Sequence, residues 1–222
     1  LSLAFLRALI ALPVLFAALK MKNTEKVEWR LLKPYIISGS ILGFGWLTLF
    51  YGYKHTSISS AVILYNMCPV YVMIAAPLLL KEAISKIQIA VVFFSFLGLV
   101  LIVGQNLSEG YGYLGMALSA VSGMLYATII LINRSIKSRV DNQTGTFVQI
   151  SAAMIVLLPF VLAEGDISTI RDLNAAAVIY TILLGVLHTG IVYTIFFSLT
   201  TQMRSVEIVL YSSWRHDRCG AV

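Results

Sequence analysis

Long apolar runs alternate with short polar connectors along almost the whole chain. Uncharged or nearly uncharged stretches cover residues 8–19, 34–53, 57–80, 87–108, 110–133, 143–163 and 173–203. A helix needs about 20 apolar residues to cross the roughly 30 Å hydrocarbon core of a bilayer, so these runs predict seven spanning helices. The first is short if its span starts only at Ala8. The period-two alternation of barrel strands does not occur, and neither do the polar faces that would separate buried helices in a soluble bundle. The pattern predicts an all-α, multi-pass helical bundle in a membrane.

Composition agrees: 59% of the residues are hydrophobic and 12% charged, against about 25% charged in an average soluble domain. The charges are concentrated in alternate connectors. Residues 20–33 hold Lys20, Lys22, Lys26, Arg30 and Lys33, residues 81–86 hold Lys81 and Lys86, and residues 134–139 hold Arg134, Lys137 and Arg139. The connectors between them carry Lys54 alone, no Lys or Arg at 105–109, and Arg171 among Glu164, Asp166 and Asp172. Cytoplasmic loops are enriched in Lys and Arg, so the first set is expected inside and the second outside, in the inner or plasma membrane of a cell. The net charge of +6 therefore reports topology, and no nucleic-acid partner is implied. Cys68 lies within an apolar run and Cys219 near the end, so no disulfide framework follows.

The chain also repeats itself. At an offset of 146 residues, Ile36–Tyr65 falls without gaps on Ile182–Tyr211, with Ile36/Ile182, Gly39/Gly185, Thr48/Thr194, Phe50/Phe196, Ser59/Ser205, Leu64/Leu210 and Tyr65/Tyr211 identical. The same offset sets Leu12-Pro13 on Leu158-Pro159, and a proline inside an apolar helix is a costly residue to match by accident. Chance alignment of apolar helices is the competing explanation. Each copy lies five helices further on, and an odd number reverses direction across the bilayer, so the repeat is expected to be inverted.

These residues resemble the ten-helix drug/metabolite transporter superfamily in its EamA-type branch. The resemblance runs from Leu6-Arg7 to about Trp214 and is densest over Phe50–Val103, with Phe50-Tyr51-Gly52-Tyr53-Lys54-His55-Thr56-Ser57 at the exit of the family's third helix, Pro69-Val70 in its fourth, and Lys81-Glu82 followed by Gln88 and Gly98 around its fifth. It implies a first EamA-type repeat at residues 1–105 without its first helix, and a second at 106–222 without most of its ninth helix and all of its tenth. The repeat carries residues 68–73 onto Trp214-Arg215-His216-Asp217-Arg218-Cys219, and each charge costs about 2.5–3.5 kcal/mol at a helix centre. The ninth helix is therefore expected to stop there, by a shifted reading frame or natural truncation, and the chain as it stands is expected not to transport.

No metalloprotease, nucleophile-elbow, dithiol or P-loop motif occurs, and no paired carboxylates sit inside a span, so the chain is not expected to be an enzyme; catalytic residues, metal ligands and cofactors are not assigned. Polar residues inside spans are the informative ones, because each costs free energy in hydrocarbon and faces a bundle interior or cavity. His188 is a candidate substrate or proton contact, or a neutral imidazole bonded between helices. Asn66, three residues before Pro69, offers amide donors where the proline frees a carbonyl, or serves as packing glue. Trp46, Tyr65, Tyr126, Tyr193 and Tyr211 could stack on a substrate or simply pack. The family's third, fourth, sixth and eighth helices are expected to line a central cavity, which singles out Trp46, Tyr65, Asn66, Tyr126 and His188. Arg7, roughly 9 Å along its span at 1.5 Å per residue, is expected to snorkel to the interface. Ser85 and Gln88 have capping-box spacing, while Gly39 with Gly43 and Ser119 with Gly123 form small-residue faces for close helix contact.

The resulting expectation is a carrier that moves a small amphipathic metabolite (an amino acid, a derivative or a drug-like compound) by alternating access, with membrane lipid as its other partner and its oligomeric state open. The alternative is a non-transporting membrane fragment of such a carrier. A channel would show rings of like charge or a carbonyl filter, and neither pattern is present.

Overall fold

The computed structural model describes residues 1–21, 28–80, 86–106, 112–136, 140–163 and 175–196. These form α1 (Ser2–Met21), α2 (Trp29–His55), α3 (Ile58–Asn66), α4 (Cys68–Leu80), α5 (Lys86–Asn106), α6 (Tyr113–Ser135), α7 (Asn142–Ala163) and α8, which starts at Ala175–Leu183 and continues as a π-helix over Leu184–Val192. Among the described residues there is no strand. Among the described residues six helices are long and apolar enough to cross a membrane, with α3 and α4 counted together as Ile58–Leu80. The 21 residues of α5 have the same reach, so the bundle is all-α and multi-pass.

Two boundaries differ from the hydropathy pattern. The first helix is not short: it begins at Ser2 and runs for 20 residues, because Arg7, which interrupts the uncharged run, stays inside the helix. The second starts at Trp29 rather than Pro34, so Arg30 and Lys33 lie in its opening turns. Pro34 therefore lies inside the helix, where it has no amide hydrogen to give the Arg30 carbonyl four residues back.

Small residues set how the helices meet. Ala4, Ala8 and Ala11 are fully buried on one face of α1, at the three- and four-residue spacing of a helical stripe. Gly39 and Gly43 of α2 lie against Gln149, Ala152 and Ala153 of α7; a Cβ at Gly43 would come within 2.8 Å of the Ala153 carbonyl oxygen. Ser119 backs onto Gly52 and Gly123 onto the Tyr65 carbonyl. Both small-residue faces are thus helix contacts. Ser122 donates a 2.7 Å hydrogen bond to the Gly45 carbonyl and ties α6 to α2. Gln149 joins three helices, donating to Ser38 and Asn133 at 2.6 Å each.

The direction of these contacts shows α2 running parallel to α7 and antiparallel to α6, with α8 parallel to α1. Leu1, His55 and Tyr113 therefore share one end of the bundle, and Met21, Trp29 and Ser135 the other. Lys20, Arg30, Lys33, Lys86 and Arg134 gather at the second end, opposite Lys54. Outward faces are large and apolar, as on α5, where Phe93, Phe94, Phe96 and Leu101 are exposed; they suit hydrocarbon tails. Ser85, the Gln88 side chain, Lys81, Glu82, Tyr211 and the tail from Trp214 lie outside the described residues.

Candidate functional site

The helices enclose a cavity of about 610 Å³ lined from α1, α2, α3, α4, α6 and α8. Trp46, Tyr65, Asn66, Tyr126 and His188 all line it, so the five residues singled out from four separate helices come together in one place. The positions follow from local structure. Trp46 sits one residue after the carbonyl that Ser122 holds, and is 2% exposed. Asn66 is the last residue of α3, where the chain breaks before α4. Pro69 has no amide hydrogen to continue the ladder; the Met67 amide instead turns back to Leu64 and Tyr65, and that of Val70 bonds Met67 at 2.9 Å. The break ends α3 at the cavity wall. Ser57 opens α3 as its N-cap, accepting from the Ser60 amide at 3.1 Å.

The π-helix governs the opposite wall. An i to i+5 ladder brings residues five apart one above the other, and the Tyr193 amide accordingly bonds the His188 carbonyl. The same register sets the two rings edge to face with centroids 5.7 Å apart. The sequence pattern treats this run as ordinary α-helix; the wide turn occurs where the buried Thr189 hydroxyl donates to the carbonyl five residues back, on Leu184, at 3.2 Å.

Two aromatic groups follow. Tyr193 stands edge-on to Trp46 at 6.1 Å and accepts a side-chain hydrogen bond from it. Tyr126 lies 5.6 Å from Tyr65 and stacks on Phe196 at 5.8 Å. His188 and Asn66 line the cavity with much of their surface still accessible. His188 thus faces the cavity with an aromatic partner.

Arg7 departs from expectation. It does not snorkel: its guanidinium carbon lies 4.3 Å from the centroid of the Trp46 ring, inside the cavity. Cation–π attraction over Trp, the strongest aromatic partner, competes with the interface for that charge. Tyr53 and Phe196 also line the cavity without having been singled out. The readable signal was helical spacing, since Tyr53 lies seven residues beyond Trp46 and Phe196 eight beyond His188. Among the described residues no cluster of His, Cys, Asp or Glu could hold a metal ion.

Residues 1–104 match the EamA-like transporter family. An uncharacterized transporter of Bacillus subtilis, YxxF, is 29% identical over 94% of this chain and 69% of its own length. An uncharacterized transporter of Archaeoglobus fulgidus is 29% identical over 95% of this chain and 73% of its own. A second from the same archaeon is 27% identical over 85% and 66%. A transporter match over the first 104 residues, transporter relatives over nearly all of the sequence and an all-α bundle of apolar helices agree: the chain is similar to the EamA-type transporters.

Proposed function

We propose that the chain carries the substrate cavity of a cell-membrane carrier that moves a small amphipathic metabolite by alternating access and performs no chemistry on it. The observation that carries the reading is the convergence of Trp46, Tyr65, Asn66, Tyr126 and His188, from four helices, on one cavity of about 610 Å³. Such a volume suits a small ligand. The walls offer ring faces with a few polar tips, as an amino acid, a derivative or a drug-like compound requires.

Alternating access needs two halves that can rock. The 146-residue offset relates α1 to α7 and α2 to α8, and under it the pairing of α2 with α7 becomes that of α8 with α1. Both pairings occur, and the matched Gly39 and Gly185 each press on a helix of the other half. These contacts support an inverted repeat, and the family match ending at residue 104 supports a division near 105. The end bearing Lys20, Arg30, Lys33, Lys86 and Arg134 is then cytoplasmic.

Cells expressing the complete gene are screened for altered accumulation of, or resistance to, a panel of amino acids, derivatives and amphipathic drugs. Gene-dependent flux of one compound is expected, and Trp46→Ala or Tyr126→Ala is expected to raise its KM. The reading is wrong if no compound responds, or if both variants keep wild-type kinetics.

A further inference from the structure

We propose that the cavity selects a monoanionic substrate, a carboxylate on an apolar body, with Arg7 as its anion anchor; this rests on the cavity being the transport site. Arg7 holds the fixed positive charge of the cavity, and among the described residues no Asp or Glu lines it. Its Nε is buried without a hydrogen-bond partner among those residues. A guanidinium is always charged and presents a planar fork of donors that matches a carboxylate. A buried Nε–H left without an acceptor at the wall of the cavity is a donor that a ligand can fill.

Geometry makes it a receptor. The guanidinium carbon lies over the Trp46 ring at 4.3 Å, and Trp46 is itself bonded to Tyr193, so the charge rests on a ring that has its own partner. A cation–π contact is no substitute for a hydrogen-bond acceptor, and the Nε–H, which has none among the described residues, remains for an anion. The rest of the wall fixes the other end of the ligand: Tyr65, Tyr126 and Phe196 form a second aromatic group, fit for a ring or an aliphatic body.

Charge arithmetic sets the class. One guanidinium neutralises one negative charge, so a monocarboxylate leaves the loaded cavity neutral within the membrane. A dianionic phosphate would leave a surplus charge there, which hydrocarbon penalises. An amine would face the like charge of Arg7 with no carboxylate among the described lining residues to meet it. The order expected is acid first, then its neutral amide, then the matching amine.

The chain in lipid nanodiscs is titrated calorimetrically with a series of phenylalkyl carboxylates of increasing tail length, their primary amides and the corresponding amines. At the best-fitting length the acid is expected to bind at least about tenfold more tightly than the amide. Arg7→Gln is expected to bring acid and amide to the same Kd, the acid losing at least about tenfold more affinity than the amide, while Arg7→Lys keeps a preference for the acid. Equal binding of acid and amide by the wild-type chain overturns the anion site, as does an acid preference that survives Arg7→Gln. If the amide binds equally well and loses affinity in Tyr126→Ala, the anion site falls while the cavity reading stands; if no member of the series binds, both fall. Should Arg7→Gln fail to fold, the wild-type comparison together with Arg7→Lys decides.

Discussion

Replacing Gly43 by Ala adds one methyl group at the tightest kind of contact in this bundle. The new Cβ would lie 2.8 Å from the Ala153 carbonyl oxygen, 2.9 Å from the Val156 Cβ and 3.1 Å from the Ala153 Cα. Two of these are backbone atoms of α7, so no side-chain rotation relieves them. Contacts become ordinary beyond 3.4 Å, so α2 and α7 must separate by several tenths of an ångström along the face that also seats Gly39. Forced overpacking of this kind costs about 1–3 kcal/mol, against a gain of up to about 1 kcal/mol because Ala is the better helix former. A net loss of about 1–2 kcal/mol is expected. Gly98 on α5 supplies the control: a Cβ there meets nothing within 4 Å, so Gly98→Ala should be neutral or slightly stabilising. Both variants are unfolded with SDS in mixed micelles, followed by far-UV circular dichroism. The packing argument is refuted if Gly43→Ala unfolds at the wild-type midpoint, or if the two variants shift alike.

Two more expectations rest on single contacts. Gln149→Leu removes both 2.6 Å bonds that join α2, α6 and α7 and leaves the buried Asn133 carbonyl oxygen without its donor; a loss of about 1–2 kcal/mol is expected in the same SDS titration, and an unchanged midpoint would show that the three-helix network contributes nothing. Ser57→Ala deletes the cap of α3, worth about 0.5–2 kcal/mol, and should speed amide hydrogen exchange across Ile58–Ala61; exchange at the wild-type rate would mean that packing alone holds this helix end.

How much of this was legible follows from what each signal measures. Hydropathy reports the solvent around a segment, so the lipid-facing bundle was readable from apolar runs alone, with errors only where a charge entered a helix, as Arg7 enters α1 and Arg30 and Lys33 enter α2. Polar and aromatic residues inside a span are expensive unless they face a partner or a cavity. That cost is why Asn66 and His188 stood out in the sequence, whereas Trp46, Tyr65 and Tyr126 were singled out from the other aromatic residues by the resemblance to a family whose third, fourth and sixth helices are expected to line a cavity. Small residues at four-residue spacing reported helix contacts for the same reason: the bilayer gives apolar helices no cause to associate except close fit.

What stayed hidden was what depends on a second element. The distance of Arg7 from the end of its helix says how far it must reach to find water, and nothing about Trp46, which lies in another helix and lines the cavity with it. The π-helix was hidden differently. Leu184–Val192 is equally apolar in either ladder, so hydropathy cannot separate them, and the distinction rests on single hydrogen bonds such as that from Thr189 to Leu184. The consequence is not small. One residue of helical register is about 100° around the axis. Closed into an ordinary α-helix, the stretch would carry Tyr193 by about that angle relative to Gly185, which anchors α8 on α1. Tyr193 would leave the edge of Trp46, and the ring that Arg7 lies on would lose its hydrogen-bond partner. The wide turn and the buried cation are therefore parts of one arrangement: the π ladder places the tyrosine that steadies the tryptophan on which the charge rests.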